Sequence, residues 1–437
     1  MHGTTLHASC DPPAAYPAGV PPASKPPSVG DRMTVDVRDV AHGGHMVARH
    51  DGFVIFVRYA LPGERVVAEV TDVRRGFARA EAIEIVVSNP HRVAPRCPSF
   101  HPFGCGGCDF QHADIGLQRE MKTQILREAL VRQGRLDPDY VGQLTQSGLR
   151  SLGSDWQWRS RMRFSVLGFM DGTWAPGMHA YRSTAIVPAD RCMIAEPAVL
   201  ESAKGAIAQI ASNLEIGSQP DLEVVAATDG IATEAAIGPT DQRLRHRVEI
   251  DGNDVDFDLP LGGFWQAQRA LVPAIVNTVL EFGGPRDSET WWDLYAGAGP
   301  ITAGLAIRVG ATGAIHAVES DPDAVAAARR TFATRDWVDV HRSDVRRWLA
   351  AGNRARPDGV VMDPPRSGAG EATLNPVVAL RPRVIVYVAC DPVALGRDVA
   401  VLAARGYRLT DLRAWDAFPQ THHLEAVCAF EPDDRLS

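Results

Sequence analysis

The sequence predicts an α/β protein with a helix-covered parallel sheet in its C-terminal third and a small β-domain near its N-terminus. Between residues 290 and 405, apolar β-rich runs alternate with Ala-rich helical runs. Strand-then-helix alternation is typical of a parallel sheet with helices on both faces. Between residues 29 and 92, short β-rich runs are separated by Gly and Pro turn signals, as in a small barrel.

The composition is that of a globular protein with more than one domain. The chain has 437 residues, of which 45% are hydrophobic. No run of about 18 apolar residues occurs, so no membrane-spanning helix is expected, and the first residues lack the pattern of a secretory signal. Seven cysteines, three of them close together, indicate a reducing cytoplasm and a metal or cluster site. The net charge of −8 argues against nucleic-acid binding by bulk charge alone.

We predict four segments along the chain. Residues 1–27 are Pro-rich and are expected to form a disordered tail. Residues 28–92 are expected to form the barrel, either an OB-like nucleic-acid-binding barrel or a purely structural β-domain. Residues 93–262 begin with a Cys-rich loop and a helix over 113–133, and residues 263–437 form the α/β domain.

The α/β domain supplies the clearest pattern of elements. Strands are predicted over 290–295, 314–319, 358–362 and 384–388. Helices are predicted over 300–309, 322–334, 372–380 and 392–405. A closing pair of strands is expected around 407–416 and 425–431.

A glycine-rich turn follows the first strand of the predicted parallel sheet. In Asp293-Leu-Tyr-Ala-Gly297-Ala-Gly299, the two glycines let the backbone turn tightly and approach a ligand. The next strand ends in Glu319, whose carboxylate suits ribose hydroxyls. The third glycine of a dinucleotide site is missing. The motif therefore indicates S-adenosylmethionine, which has no phosphate to hold; a glycine turn without a ligand is the alternative.

Two further motifs follow later strands of this sheet. In Asp363-Pro-Pro-Arg366, two prolines stiffen the loop that carries the carboxylate. Cys390 opens a helix, whose unpaired N–H groups and dipole stabilise a thiolate. A rigid turn and a small core hydrophobe are the respective alternatives. Because the motifs share one sheet edge, we interpret Asp363 as a contact of the methyl donor or of a nitrogenous base, and Cys390 as a nucleophile.

A fourth motif, Asp416-Ala-Phe-Pro-Gln-Thr-His-His-Leu-Glu425, supplies a candidate general base in Glu425, which in isolation would be a surface acid. A methyl donor, a nucleophilic Cys and a base together suit methylation of a pyrimidine at C5. Thiolate addition at C6 makes C5 nucleophilic toward the methyl sulfonium, and a base then removes the C5 proton so that the Cys is eliminated.

The remaining cysteines suggest a metal centre. Cys97, Cys105 and Cys108 lie in a Gly-rich loop, and Cys192 follows far downstream. Four thiolates suffice for structural zinc or for an iron–sulfur cluster. The spacing alone does not pair Cys192 with the other three.

Together these motifs resemble those of the RNA (uracil-5-)-methyltransferases, S-adenosylmethionine-dependent enzymes that make 5-methyluridine in tRNA or 23S rRNA. The resemblance extends from about residue 29 to residue 431. It implies a Rossmann-like class I methyltransferase domain, an N-terminal OB-like TRAM barrel, and a central α+β domain that carries a [4Fe-4S] cluster. It also implies that the helix over 113–133 packs on the methyltransferase domain.

The resemblance assigns roles to individual residues. The family nucleophile and base fall on Cys390 and Glu425, although Ala389 and Asp391 replace the Ser and Asn of many relatives. The F-P-Q-T-x-H-x-E surround of Glu425 matches closely. The methyl-donor contacts fall on Gln266, Tyr295, Glu319, Asp344 and Asp363. The cluster ligands fall on Cys97, Cys105, Cys108 and Cys192.

The expected partner is RNA, and a cytoplasmic, monomeric enzyme without membrane or DNA contacts is expected. 23S rRNA is favoured over tRNA, because a TRAM-like barrel occurs mainly among the rRNA enzymes. The target uridine would be flipped out of its stack to reach Cys390. Arg159, Arg161 and Arg163 would help the barrel to hold folded RNA, or would equally be an exposed strand face without a partner.

Two other functions compete with this interpretation. The first is a catalytically retired homologue that binds or chaperones RNA, and the intact Cys390, Glu425 and glycine turn count against it. The second is a cytosine methyltransferase. Cytosine enzymes usually place the nucleophile in a Pro-Cys element, whereas Cys390 precedes Asp391-Pro392.

Overall fold

The computed structural model describes residues 26–215, 217–228, 233–238, 240–352 and 355–433. These residues form two compact units that divide after Val93. Residues 1–25, most of the expected tail, lie outside the described part of the chain. None of the described helices combines the length and the apolar composition that a membrane span requires.

The N-terminal unit is a closed five-stranded barrel, as the sequence predicts. Its strands are β1 (Arg32–Ala41), β2 (His45–His50), β3 (Phe53–Arg58), β4 (Arg65–Arg74) and β5 (Phe77–Val87). They are hydrogen-bonded in the order β1-β2-β3-β5-β4, and antiparallel pairing of β4 with β1 closes the barrel. Alternate residues of β1 are buried, so that Met33, Val35 and Val37 fill the interior.

The second unit opens with the Cys-rich loop and an α+β region. Its elements are α1 (Ile115–Arg132), α2 (Pro138–Leu144), β6 (Arg150–Ser151), β7 (Arg161–Gly168), β8 (Trp174–His179), β9 (Ile186–Pro188), α3 (Pro197–Ile210), a 3₁₀ turn (Ala211–Asn213), β10 (Asp221–Ala226), β11 (Thr233–Ile237), β12 (Arg243–Ile250) and β13 (Asn253–Pro260). Five strands form a sheet in the order β11-β10-β7-β8-β9. One face of α3, with Val199, Ala203 and Ile207, packs on its apolar side chains.

The C-terminal part is the expected α/β domain. Its elements are α4 (Leu271–Gly283), β14 (Thr290–Leu294), α5 (Pro300–Val309), β15 (Ala314–Glu319), α6 (Pro322–Thr331), β16 (Val338–Arg342), α7 (Val345–Ala350), β17 (Gly359–Met362), α8 (Glu371–Ala379), β18 (Val384–Ala389), α9 (Pro392–Ala404), β19 (Tyr407–Asp416) and β20 (Glu425–Pro432). Eight strands form one sheet in the order β16-β15-β14-β17-β18-β20-β19-β6. Strands β14 to β18 are parallel, and β20 runs antiparallel to β18.

Apolar side chains cover both faces of this sheet. Trp291 and Val361 contribute to the core on one face, and the adjacent Trp292 and Val360 contribute to the core on the other. Such continuous apolar strands are characteristic of a parallel sheet that is buried on both sides.

Strand β16 and helix α7 were not predicted from the sequence. Strand β16 is an edge strand of five residues, and most of it is half-buried or exposed. A short strand of this kind lacks the apolar run that marks the central strands, so its pattern is weak.

Helix α1 packs against α9, far from it in sequence. Asp114 caps the helix by accepting the backbone N–H of Leu117 at 2.8 Å. The two helices approach so closely that a Cβ atom on Gly396 would lie 2.5 Å from the carbonyl oxygen of Ala129. The described residues from Ala94 onward form one compact unit, and the boundary predicted between residues 262 and 263 stays a prediction.

Candidate active site

The parallel strands bring the predicted motifs to one edge of the sheet. Leu294 pairs with Met362, and Met362 pairs with Tyr387, so β14, β17 and β18 end side by side. The loops that follow these strands therefore leave the same carboxyl edge, where ligands of open α/β sheets bind. Tyr295, Asp363 and Cys390 lie in these loops.

The glycine turn has the backbone conformation that its sequence predicts. Gly297 and Gly299 have φ angles of +55° and +92°, in the region that glycine adopts most readily. A Cβ atom on Gly299 would lie 2.7 Å from Cε2 of Phe332, so packing also requires glycine there. A Cβ atom on Gly297 would meet nothing within 4 Å, which leaves space for a ligand beside this residue.

Glu319 is fixed against this turn by backbone donors. One carboxylate oxygen accepts the N–H of Gly297 at 3.0 Å, and the other accepts the N–H groups of Ser320 at 2.6 Å and Asp321 at 2.7 Å. The first oxygen keeps acceptor capacity for a further donor, such as a ribose hydroxyl.

Tyr295 and Asp344 flank the same edge. Tyr295 has a φ angle of +65°, which is uncommon for a residue other than glycine, and its hydroxyl lies 3.1 Å from Oγ1 of Thr373. Asp344 caps α7 by accepting the N–H of Arg347 at 3.1 Å. The charges of Asp344 and Arg346 both influence the pKa of Tyr295, which burial, the main cause, raises.

Asp293 is a buried acid that the sequence analysis noted only as the start of the glycine motif. Its carboxylate accepts the hydroxyl of Thr302, on α5, at 2.5 Å. Burial raises the pKa of Asp293 to about 7. Hydrogen bonding between Asp293 and Thr302 connects the end of β14 to the helix that follows the glycine turn.

Antiparallel pairing of β18 and β20 brings the proposed nucleophile and base together. Ala389 pairs with Ala426, so Cys390 and Glu425 stand next to each other at the following position of the register. Burial raises the pKa of Cys390 to about 12, and the charges of Glu425 and Asp363 act in the same direction. The positive charge of Arg366 lowers the pKa of Cys390.

Of the carboxyl groups that act on Cys390, Glu425 is buried and Asp363 is half-buried. Burial raises the pKa of Asp363 to about 7, and the charges of Asp293 and Glu319 contribute. The pKa of Glu425 is raised well above its ordinary value by burial and by the charge of Asp363. The site thus concentrates acids in a low-dielectric environment, which is typical of functional sites.

Arg366 and His423 join this site, although the sequence analysis gave neither of them a role. Their side-chain nitrogens lie 3.5 Å apart. Burial is the main cause that lowers the pKa of His423 to about 2, so its imidazole is neutral. Their positions in the sequence could have indicated a place in the site, since Arg366 directly follows Asp363-Pro-Pro and His423 lies two residues before Glu425.

Gln266 lies on a separate segment, between β13 and α4, and is half-buried. The beginning of this segment is held by Arg161, whose guanidinium donates to the carbonyl oxygens of Gly262 and Gly263. Arg161 also donates to Glu223 at 2.8 Å, and Arg163 donates to Asp221 at 2.5 Å. These two arginines therefore have partners within the chain.

The four candidate cluster ligands converge on one cavity. Its volume is about 310 Å³, and its lining includes Cys97, Cys105, Cys108 and Cys192. All four thiols are free of disulfides. Burial raises the pKa of three of them, those of Cys97, Cys105 and Cys108. Thiolates in such a place need a cationic partner, so this donor set suits a metal centre.

A second group of metal-type ligands, His316, Asp339 and His341, lies on β15 and β16, and the sequence analysis did not single it out. One potential ligand atom from each residue lies within 4.8 Å of the other two. Nδ1 of His316 lies 3.1 Å from Nε2 of His341, which is a hydrogen-bond distance. The two imidazoles thus interact directly across the two parallel strands.

Two family models match this sequence. Residues 27–83 match the TRAM domain, and residues 353–431 match the tRNA (Uracil-5-)-methyltransferase model. Among solved structures, the tRNA (uracil-54, C5)-methyltransferase of Pyrococcus abyssi in complex with S-adenosyl-L-homocysteine aligns with a TM-score of 0.67 at 20% identity. The alignment covers 91% of this chain and 99% of that one, and it establishes the fold as that of a class I methyltransferase with an added barrel.

Relatives match over almost the whole chain. An RNA methyltransferase of Streptomyces coelicolor is 36% identical, with 94% of this chain and 95% of that protein covered. The 23S rRNA (uracil(1939)-C(5))-methyltransferase RlmD of Shewanella sp. (strain MR-7) is 30% identical, with 92% and 96% covered. The chain therefore belongs to the RNA (uracil-5-)-methyltransferase family.

Proposed function

We propose that this protein transfers the methyl group of S-adenosylmethionine to C5 of a uridine in 23S rRNA, through a covalent adduct between Cys390 and C6. The observation that carries the proposal is the pairing of β18 with β20. It brings Cys390, which directly follows β18, close to Glu425, the first residue of β20, and Asp363 also acts on this cysteine. C5 methylation of a pyrimidine requires a nucleophile and a base close to the methyl donor. We assign Asp363 as a contact of that donor.

The methyl donor would lie over the glycine turn. We assign its contacts to Gln266, Tyr295, Glu319, Asp344 and Asp363. Glu319 has acceptor capacity for a ribose hydroxyl, and the space beside Gly297 admits the ligand. A cationic sulfonium near the buried Asp363 would favour the ionised carboxylate, and so would lower the pKa that burial has raised to about 7.

Cys390 and Glu425 would then act in sequence. The thiol of Cys390 loses its proton to solvent as the sulfur adds to C6, and C5 takes the methyl group, leaving S-adenosylhomocysteine. Glu425 accepts the C5 proton, the C5–C6 double bond re-forms, and the bond between sulfur and C6 breaks. Because the pKa of Cys390 is raised by burial, we expect its activation to depend on bound substrates.

We assign a [4Fe-4S] cluster to Cys97, Cys105, Cys108 and Cys192. The donor set fits, since all four thiols line one cavity of about 310 Å³. Four thiolates suit a zinc ion as well as a cluster, and the resemblance to the family favours the cluster. The reaction requires no electron transfer, so we assign the cluster the role of holding this region of the fold.

The choice of 23S rRNA rests on the relatives and on the barrel. RlmD of Shewanella sp. is named as a 23S rRNA enzyme, and its similarity covers 92% of this chain. The TRAM match over residues 27–83 supports RNA binding by the barrel.

The test is methyl transfer by anaerobically purified protein to separate samples of 23S rRNA and tRNA that lack 5-methyluridine. We expect label from methyl-labelled S-adenosylmethionine in 5-methyluridine of 23S rRNA, identified by mass spectrometry of nucleosides. Cys390→Ala should abolish the label. Cys428→Ala, a change at a buried cysteine inside β20, is the matched control and should retain it.

Label in tRNA alone would overturn the choice of RNA but leave the chemistry in place. Absence of label in both RNAs, with the cluster intact, would contradict the enzymatic proposal.

A further inference from the structure

The loop of residues 417–424, which we call the base loop, joins β19 to Glu425, the first residue of β20. Gln420, in the middle of this loop, has a φ angle of +71°. A residue other than glycine in this region stores strain, which persists only where surrounding contacts hold it.

Hydrogen bonds from a distant segment hold Gln420. Its carbonyl oxygen accepts the backbone N–H groups of Asp109 at 2.8 Å and Phe110 at 3.0 Å. Its backbone N–H donates to Oε1 of Gln118 at 2.9 Å, and Nε2 of Gln118 donates to its side-chain oxygen at 3.0 Å. Asp109 and Phe110 belong to the Cys-rich loop, and Gln118 belongs to α1. Gln420 is itself buried.

Asp109 makes a second attachment, at His422. One oxygen of the buried Asp109 carboxylate accepts the backbone N–H of His422 at 3.0 Å and lies 2.7 Å from its Nδ1. At that distance from a carboxylate, Nδ1 carries the proton and donates it. A single oxygen thus fixes both the backbone and the ring of His422.

The ring of His422 contacts His423, which in turn contacts Arg366 in the active site. Its ring centroid lies 4.0 Å from that of His423, and Nε2 of His423 lies 3.5 Å from the guanidinium of Arg366. The charge of Arg366 acts on both Cys390 and Glu425. The attachment at His422 lies only three residues before Glu425.

We propose that Asp109 and His422 are positioning residues, which hold the base loop so that the carboxylate of Glu425 reaches the proton on C5. The proposal rests on the proposed function and concerns the second half of the reaction, in which the C5 proton is removed and the cysteine is released. Asp109 acts through His422 and takes no part in methyl transfer itself.

This role predicts a specific defect. When Glu425 is displaced, sulfur can still add to C6 and C5 can still take the methyl group. The C5–H bond then stays unbroken, so the electron pair that would expel sulfur is not released. Enzyme and methylated RNA therefore remain joined through the bond between Cys390 and C6.

The experiment uses the full cluster-containing chain in single turnover with methyl-labelled S-adenosylmethionine and its RNA. Asp109→Ala should retain methyl transfer. The amount of labelled protein–RNA complex on a denaturing gel should rise about tenfold. Asp109→Asn retains an acceptor and should give an intermediate level. His422→Ala tests the other side of the contact, leaves the Cys-rich loop unaltered, and should resemble Asp109→Ala. Asp190→Asn is the matched control, since Asp190 is an acid two residues before Cys192 that pairs with Arg191.

If Asp109→Ala and His422→Ala lose methyl transfer and the labelled protein–RNA complex together, the positioning role is overturned. It is also overturned if both variants form this complex at the wild-type level. If the wild-type protein forms neither labelled RNA nor complex, the proposed function itself is overturned. The two failures are therefore distinguishable.

Discussion

The negative charges of Glu425 and Asp363 act on Cys390 and, together with its burial, oppose formation of its thiolate. Burial is the main cause that raises the pKa of Cys390 to about 12, and the negative charge of Glu425 is the second cause. Removing that negative charge by Glu425→Gln should lower the pKa, so the thiolate fraction rises at any pH below it. We expect iodoacetamide to alkylate Cys390 several-fold faster in Glu425→Gln than in the wild-type protein at about pH 9. Mass spectrometry of the peptide that contains Cys390 measures this rate.

Cys428 provides an internal control for this measurement. Its pKa is raised by burial alone, so its alkylation should be equally slow in both proteins. Equal rates at Cys390 in the two proteins would show that Glu425 does not influence the nucleophile.

At the scale of elements, a buried ion pair joins α1 to the end of β19. Nζ of Lys122 donates to Asp416 at 2.5 Å and to the carbonyl oxygen of Phe418 at 3.1 Å, and both charged side chains are fully buried. Lys122→Met leaves the buried Asp416 with Arg119 alone, whose Nε lies 3.4 Å from its other carboxylate oxygen. We expect a loss of about 3 kcal/mol in the free energy of unfolding, because this carboxylate is then only partly compensated. Denaturant unfolding monitored by circular dichroism measures it.

A second substitution separates the missing charge from lost packing. Adding Asp416→Asn to Lys122→Met removes the partly compensated carboxylate and should recover part of the stability. Lys204→Met, at a half-exposed lysine of α3 that pairs with Glu201, should change stability by no more than about 0.5 kcal/mol. Equal losses at both lysines would refute the role of burial.

At the scale of the whole molecule, the proposed donor contacts and the barrel fall in different compact units. We therefore expect a chain that begins at Ala94 to bind S-adenosylhomocysteine with the affinity of the full chain. Its affinity for RNA should fall by about tenfold or more, because the barrel contacts are lost. Calorimetry measures the first affinity and fluorescence anisotropy the second. Unchanged RNA affinity would exclude the barrel as an RNA-binding unit.

Much of the α/β domain could be predicted because its sequence patterns are local. Helix α5 was expected over 300–309 and spans Pro300–Val309, since its start after a glycine turn and its apolar composition are both evident in sequence. Short edge elements such as β16 carry too few apolar residues for such a prediction. The contacts of the base loop were also missed, because Asp109 and His422 lie 313 residues apart in the chain.

The sequence by itself determined the order of strands and helices, the motifs at the strand ends and the types of residue that the chemistry needs. These depend on local periodicity and on the rule that parallel strands end at one edge. Only the tertiary structure decided that β20 returns antiparallel beside β18, which places Glu425 next to Cys390. It also decided that the Cys-rich loop and α1 hold the base loop. The strand pairing joins residues about 40 apart in the chain, and the loop contacts join residues about 300 apart. Neither contact follows from a local pattern of the chain.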